Sequence, residues 1–250
     1  MVTVASADGS IESVVEAFRN GGPVLIFDSA FREQETDLLF PGTAATPAAI
    51  RRLRIDCGGL LFLAIGDEVG AGFGLPWLQD IHTDAGLVAK HPVLGKLITD
   101  DLQYDSRSAF TLTLNHRDTF TGITDRDRSL TTRRFADLWS ELTAAASVAP
   151  GDSGIDSPTA IEALGAEFRT PGHIPVCRET PGGLANRQGH TELAVAIARL
   201  AGMAPVVIGA EMLQPDGDAA LPLEDAQAYG EAHGIPFASG ADILAASGLD

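Results

Sequence analysis

Apolar residues recur along this chain with two periods, one typical of helices and one typical of strands. From residue 11 to 18 they have the i, i+3, i+4, i+7 spacing of an amphipathic helix, and Gly21-Gly22 is a typical end for it. Uninterrupted apolar runs predict buried strands over 23–28 and 60–65. Similar patterns predict helices over 48–54 (capped by Thr46, with Pro47 in its first turn), 134–146, 191–201, 223–233 and 241–246, and strands over 109–115, 173–178 and 205–208.

Polar and glycine-rich stretches separate these elements. The spaced glycines of 66–74 match neither a dinucleotide fingerprint nor a P-loop, and they predict a loop, as do the Thr, Asp and Arg residues of 119–128. Residues 147–158 are dense in Gly, Pro, Ser and Asp, which predicts a surface insertion. Interleaved helices and strands over 250 residues predict a single domain, 1–250, an α/β or α+β sandwich in which helices cover a mixed sheet.

The charge balance narrows the classes of partner. Thirty-four acidic residues stand against 17 basic ones, a formal net charge of −17, which disfavours nucleic acid and anionic membranes. Only Lys90 and Lys96 are lysines, and an acidic, lysine-poor chain resembles proteins adapted to high intracellular salt. The N-terminus lacks the basic start and apolar run of a secretory signal, so we expect a cytoplasmic protein.

The two cysteines and four of the histidines suggest no site. Cys57 and Cys177 are too far apart for a zinc motif and are expected to be small buried residues. Four histidines without a partner pattern are expected to be surface or loop residues: His82, His91, His116 and His233.

An acidic segment follows the first predicted strand. If the chain were extended there, Glu33, Glu35 and Asp37 would project to one face, because strand side chains alternate. Three such carboxylates repel one another unless a hard divalent cation such as Mg²⁺ lies between them. A solvated strand edge that uses charge against aggregation is the alternative interpretation.

A second segment, residues 187–192, directly precedes the helix predicted over 191–201. The N–H groups of a helix N-terminus, the guanidinium of Arg187 and the hydroxyl of Thr191 together favour a phosphate group. His190 offers an imidazole to a metal ion. A capped helix with an incidental histidine explains the same residues if they are taken alone.

Two further titratable residues lie at the ends of apolar strands. His173 follows Thr170-Pro171-Gly172, and Glu211 follows the strand predicted over 205–208. Either side chain can serve as a general acid or base if its surroundings tune it toward neutral pH.

In this order the segments resemble the 3,4-dihydroxy-2-butanone 4-phosphate synthase family. Its F-T-V-T strand and T-G-x-x-x-x-D-R loop correspond to residues 110–113 and 121–128, and its R-P-G-H turn to 170–173. Its R-x-G-H-T-E segment is intact over 187–192. Its acidic signature D-x-x-x-R-E-x-E-x-D is matched by Asp28, Arg32, Glu33, Glu35 and Asp37.

The resemblance implies a homodimer that converts ribulose 5-phosphate to 3,4-dihydroxy-2-butanone 4-phosphate and formate in riboflavin biosynthesis. The reaction proceeds through an enediolate and a skeletal rearrangement, with two Mg²⁺ ions per active site and Mn²⁺ able to substitute. By the same resemblance the metal ligands are Glu33 and His190, the catalytic pair is His173 and Glu211, and the substrate is held by Arg32, Glu33, Glu35, Asp37, Thr111, Arg187, Gln188, Gly189, His190, Thr191 and Glu211.

The chain departs from the family pattern at two places besides the insertion. Thr36 stands where a glycine is usual, and Gln214-Pro215-Asp216-Gly217 replaces Asn-Asp-Asp-Gly. Two other functions stay open at this point: a different metal-dependent sugar-phosphate isomerase or aldolase, and a catalytically silent phosphosugar-binding protein.

Overall fold

The computed structural model describes residues 10–149, 151 and 154–249, which form seven strands and ten α-helices. The strands are β1 (Val24–Phe27), β2 (Thr36–Pro41), β3 (Phe62–Ile65), β4 (Phe110–His116), β5 (Phe168–Arg178), β6 (Val206–Glu211) and β7 (Phe237–Ser239). The helices are α1 (Ile11–Arg19), α2 (Pro47–Asp56), α3 (Asp67–Gly72), α4 (Leu78–Thr83), α5 (Ala85–Lys90), α6 (Asp125–Ala146), α7 (Ser157–Glu167), α8 (His190–Leu200), α9 (Leu223–His233) and α10 (Gly240–Ala246).

All seven strands belong to one mixed sheet with the order β4-β5-β3-β6-β2-β1-β7. β3 pairs with β5, and β1 with β7, in parallel, whereas the other neighbours are antiparallel. Helices cover both faces of this sheet, so the predicted α+β class with a mixed sheet between helices is confirmed.

Alternation along the strands divides the core in two. Leu25 of β1 packs in the same cluster as residues of α2 and α6, and its neighbours Val24 and Ile26 pack with residues of α1 and α8. α8 is enclosed along most of its length, with Leu193 and Ile197 almost fully buried. Its N-terminal residue, His190, is thereby held in a fixed place beside the sheet.

Most of the periodic segments form the elements predicted for them. α1, α8, α9 and α10 lie within a residue or two of their predicted bounds, and α2 begins as expected, with the Thr46 hydroxyl accepting a hydrogen bond from the Ala49 N–H at 3.1 Å. Cys57 and Cys177 are both buried and free, as predicted. No helix in the described part of the chain combines the length and the apolar character that crossing a membrane requires.

The glycine-rich segment 66–74 was predicted to be a loop, and this is wrong, because it contains α3. Its glycines serve close packing: a Cβ on Gly72 would lie 2.7 Å from the Trp139 ring, and one on Gly70 would collide with Arg178. The predicted loop over 119–128 is also too long, since α6 begins at Asp125, where the Thr124 side chain caps it. The apolar pattern did not indicate this helix start, because the first turn of α6 is polar.

One further prediction is wrong, several elements were not predicted, and one predicted segment lies partly outside the described residues. His116 is buried rather than a surface residue, with its Nε2 3.4 Å from a Glu167 carboxylate oxygen. Strands β2 and β7 were not predicted, and helices α4, α5 and α7 have no counterpart in the apolar pattern either. Of the predicted insertion at 147–158, residues 150, 152 and 153 lie outside the described residues, and α7 begins at Ser157.

Candidate active site

Asp28 organises the acidic segment between β1 and β2. Its buried carboxylate accepts hydrogen bonds from the backbone N–H groups of Glu33, at 2.9 Å, and Glu35, at 3.1 Å. Gln34 between them has a φ of 59°, so the chain turns there. The extended conformation considered for Glu33, Glu35 and Asp37 is therefore wrong. Only Asp37 stands on a strand, and the turn carries Glu33 to the imidazole of α8.

The His190 imidazole lies among three carboxylates. Its Nδ1 is 2.9 Å from Asp37 Oδ2, and its Nε2 is 3.3 Å from Glu33 Oε2 and 3.7 Å from Asp28 Oδ2. Burial alone would lower the pKa of His190, but the negative charge of Asp37, Glu33 and Asp28 outweighs it and raises that pKa well above the ordinary value. The close approach of the His190 imidazole in turn lowers the pKa of Glu33.

This cluster fits a divalent cation. One ligand atom from each of Asp28, Glu33 and His190 lies within 4.8 Å of the others. Both ring nitrogens of His190 and both carboxylate oxygens of Asp37 are buried without a well-oriented hydrogen bond to any described residue. A cation bound at Nε2 would take its ligands from Glu33 and Asp28 and leave the Nδ1 proton to Asp37, and carboxylates with an imidazole suit Mg²⁺ or Mn²⁺.

Glu211 lies next to this cluster, on the strand that pairs with the strand of Asp37. β2 and β6 pair so that Asp37 stands opposite Glu211, and the Glu211 carboxylate accepts the Leu60 N–H at 2.6 Å. Gly59 makes this approach feasible, because a Cβ there would collide with Glu211. Burial, and then the nearby charge of Asp37, raises the pKa of Glu211 to about 7. Glu211 is thus poised to exchange protons near neutral pH.

Two arginines stand beside the N-terminus of α8. Arg187 pairs with the buried carboxylate of Glu192, and its Nη2 lies 2.8 Å from Asp105 Oδ2. The same oxygen of Asp105 lies 3.2 Å from Arg32 Nη2. Gly189 is the N-cap of α8 and has no side chain to bond the first-turn N–H groups, so this helix end remains suited to an anion.

A cavity of about 220 Å³ joins these groups. It is lined by Glu33, Leu60, Phe62, Leu102, Asp105, Arg107, Ser108, Ala109, Phe110, Cys177, Arg187, His190, Thr191 and Glu211. The candidate metal ligands, the helix end suited to an anion and the carboxyl group with a pKa near neutrality therefore face one space that can hold a small molecule.

Known proteins resemble this chain along almost its whole length. The sequence profile of the 3,4-dihydroxy-2-butanone 4-phosphate synthases matches residues 12–246. The chain belongs to the 3,4-dihydroxy-2-butanone 4-phosphate synthase family. The synthase of Archaeoglobus fulgidus is 41% identical over 93% of this chain and 92% of its own, and that of Methanothermobacter thermautotrophicus is 37% identical over 94% of each.

A solved 3,4-dihydroxy-2-butanone 4-phosphate synthase in complex with two magnesium ions shares the fold. Its TM-score with this chain is 0.68, and the likeness covers 94% of this chain and 95% of that one. At 24% identity this comparison supports the architecture, namely the seven-stranded mixed sheet and its helical layers.

Several residues that the synthase resemblance proposes for substrate binding lie elsewhere than in the cavity. The buried Thr111 hydroxyl donates to the Val176 carbonyl at 3.0 Å, and Gln188 lines a neighbouring hollow of about 540 Å³ beside β1 and α10. Arg32 also lines that hollow. Glu35 lies close to the acidic cluster, and partial burial raises its pKa.

His173, the other candidate catalytic residue of this synthase chain, does not line the cavity that Glu211 lines. It is exposed on β5, and its ring nitrogen Nδ1 lies 3.1 Å from the Asn115 side chain. The structure of one chain therefore brings Glu33, Arg187, His190, Thr191 and Glu211 together but leaves His173 apart.

Sequence reasoning missed Asp105 as a site residue. It lies 73 positions from Arg32 and 82 from Arg187 in an irregular segment, so no local pattern points to it. Asp28 was part of the acidic motif, and its position directly after β1 was the available signal for its structural role.

The two departures from the synthase pattern lie on either side of the β2–β6 pairing. Thr36 is fully buried, and its carbonyl accepts the Met212 N–H at 2.8 Å. Gln214 begins an exposed turn after β6, whose Gly217 N–H contacts the Gln214 carbonyl at 3.5 Å. Neither change displaces Asp37 from its place opposite Glu211.

Proposed function

We propose that this protein converts D-ribulose 5-phosphate to L-3,4-dihydroxy-2-butanone 4-phosphate and formate, a step of riboflavin biosynthesis. Family membership supports the reaction, and one observation connects it with this chain. A carboxylate–imidazole cluster, an anion-binding helix end and a carboxyl group with a pKa of about 7 line one cavity. Together these three components can bind a phosphosugar and promote its enolisation.

The substrate phosphate binds on the arginine side of the cavity in this proposal. Arg187, Thr191 and the N–H groups of Gly189 and the first turn of α8 hold the phosphate, because a guanidinium fork and a helix N-terminus both favour a dianion. Arg32 adds a second guanidinium through the oxygen of Asp105 that the two arginines share. A phosphate fixed at this end sets which substrate carbons reach Glu211.

Glu33 and His190 would hold the metal, with Asp28 and Asp37 behind them and Glu35 beside them. We propose two Mg²⁺ ions, with Mn²⁺ able to substitute; the solved relative in complex with two magnesium ions supports this number. A metal held by these residues would polarise the carbonyl and hydroxyl oxygens of the sugar, which would acidify the neighbouring C–H.

Glu211 and His173 form the catalytic pair in this proposal, and they require a homodimer. His173 lies outside the cavity of its own chain, so the partner subunit's His173 has to complete the site. Two exposed aromatic side chains support an interface nearby, Phe31 in the acidic loop and Phe120 in the loop before α6, at 90% and 93% exposure.

The proposal also covers the domain organisation, the location and the partners of the enzyme. We propose one catalytic domain, 1–250, with 147–158 as a surface insertion, working in the cytoplasm without nucleic-acid or membrane partners. The net charge of −17 supports the absence of polyanionic partners and an adaptation to high salt.

Formate release decides the function. Purified protein incubated with ribulose 5-phosphate and Mg²⁺ should release formate, stop when EDTA is added and resume when excess Mg²⁺ or Mn²⁺ is restored. An isomerase or aldolase would consume the substrate without formate, and a silent binding protein would leave it unchanged. Formate release that continues in EDTA would contradict the metal assignment alone.

A further inference from the structure

His173 stands on a four-residue excursion of β5. β4 and β5 pair at Leu114–Ile174 and then at Asn115–Arg169, so residues 170–173 bulge out of the ladder between these pairs. Two side chains of β4 bond the N–H groups of this bulge. The Thr113 hydroxyl accepts from Gly172 N–H at 3.0 Å, and Asn115 Oδ1 accepts from His173 N–H at 2.9 Å.

The second contact of Asn115 determines the tautomer of His173. A backbone N–H can only donate, so the amide atom bonded to it is the oxygen, and the other end of the amide is the NH₂ group. That NH₂ group lies 3.1 Å from His173 Nδ1 and can only donate. Nδ1 must therefore carry a lone pair, which leaves the ring proton of the neutral imidazole on Nε2.

The Asn115 amide cannot easily rotate to reverse this pattern. Asn115 is only 4% exposed, and the backbone of Gly122 presses against it so closely that a Cβ on Gly122 would collide with the amide. Asp127 at the start of α6 secures this loop, since its carboxylate accepts the N–H of Gly122 at 2.9 Å and that of Thr121 at 3.2 Å. The T-G-x-x-x-x-D-R motif thus closes a backbone loop onto the residue that holds His173.

We propose that Asn115 is a positioning residue that holds His173 in the neutral Nε2–H tautomer. The inference rests on the proposed function, in which His173 reaches the substrate. With Nδ1 occupied by Asn115, His173 has no free lone pair for a base, and it presents Nε2–H as a hydrogen-bond donor to a substrate oxygen on which negative charge develops. Removal of the substrate proton then falls to Glu211.

Nitrogen NMR of the wild-type protein tests the tautomer directly. With ¹⁵N-histidine labelling, the signals of His173 among the six histidines are identified by their loss in His173→Asn. We expect an unprotonated Nδ1 and a protonated Nε2 at neutral pH. A protonated Nδ1 would overturn the inference, and this measurement needs no variant of Asn115 to fold.

Two variants separate positioning from support of the bulge. Asn115→Asp keeps an oxygen for His173 N–H but places an acceptor opposite Nδ1, so the proton should move to Nδ1. The control Thr113→Val removes the hydroxyl that bonds Gly172 and should leave the tautomer unchanged. An unchanged tautomer in Asn115→Asp, or an equal change in Thr113→Val, would contradict the specific role of Asn115.

Kinetics adds an independent measurement. Asn115→Asp should lower the kcat of formate release by roughly 10²-fold, the scale for losing one preorganised donor, with KM nearly unchanged. If wild-type protein releases formate and Asn115→Asp does so equally fast, the positioning role fails while the proposed function stands. If wild-type protein releases no formate, the proposed function fails, and the NMR experiment still decides the tautomer.

Discussion

Asp105 Oδ2 lies 2.8 Å from Nη2 of Arg187, so an anion of the protein itself occupies one of the guanidinium groups proposed to hold the substrate phosphate. The same oxygen reaches Arg32 at 3.2 Å. Partial burial alone would raise the pKa of Asp105, but the hydrogen bond and charge of Arg187, with the charge of Arg32, outweigh it and lower that pKa. An arriving phosphate must therefore compete with an ionised carboxylate.

Replacing Asp105 by Asn should strengthen anion binding. The variant keeps the shape and one oxygen but removes the competing charge, so we expect the Kd of inorganic phosphate to fall by about 3–10-fold, the equivalent of up to ~1.4 kcal/mol. Isothermal titration calorimetry measures it. Asp101→Asn, an equal charge change at an exposed position of the same segment, is the control. Weaker phosphate binding in Asp105→Asn would instead assign Asp105 to holding the arginines in place.

Glu211→Gln should abolish chemistry and spare binding. The amide keeps an oxygen for the Leu60 N–H but exchanges no proton, so formate release should fall by roughly 10²–10⁴-fold with little change in substrate Kd. A Glu211→Gln enzyme with near-normal kcat would refute the catalytic assignment.

Arg187→Ala should have the opposite effect. It should raise the KM for the substrate more than it lowers kcat, because a phosphate contact is lost in ground and transition states alike.

Mixing two inactive variants should restore activity if the partner subunit's His173 completes each site. In a dimer of one Glu211→Gln and one His173→Asn chain, one of the two sites has both groups intact. With random subunit exchange about half of the dimers are mixed, so we expect about a quarter of wild-type formate release. Activity that stays at the level of the separate variants would place both residues on the same chain's site.

The raised pKa of Glu211 has a consequence for stability in metal-free buffer. Its pKa rises from 4.5 to about 7 on folding, so between these pH values the folded chain binds more protons, and stability falls as pH increases. Glu211→Gln removes this loss and should raise the free energy of unfolding at pH 8 by about 1–3 kcal/mol relative to wild type, with a smaller difference at pH 5. Urea denaturation in EDTA measures this, with the exposed Glu231→Gln as control. A difference that does not grow with pH would contradict it.

Salt should stabilise the protein, because a net charge of −17 repels itself at low ionic strength. We expect Tm at pH 7.5 to rise as KCl increases into the molar range, with roughly 2–4 °C for each kcal/mol of repulsion relieved. Near the isoelectric point of about 4.6 the net charge vanishes, and the dependence on KCl should largely disappear. A Tm that is flat or falls with KCl at pH 7.5 would argue against adaptation to high salt.

Local patterns were enough to predict the long helices and several buried strands, because an apolar face at helical spacing or a short apolar run records burial within a few residues. α1 and α8 were predicted in this way, and the segment 187–192 was correctly expected at the N-terminus of α8. α3 was missed because its glycines serve packing against Trp139 and Arg178, which lie far away in sequence.

The sequence by itself determined the family, the order of the motifs and the kinds of chemical group available, since these depend on residue identity and spacing. Only the tertiary structure decided which groups meet. The β2–β6 register sets Asp37 opposite Glu211, and the turn at Gln34 brings Glu33 to His190. The tertiary structure also sets the contact of Asp105 with Arg187 and the separation of His173 from the cavity. Each depends on strand pairing or packing between distant segments, which no pattern within a few residues encodes.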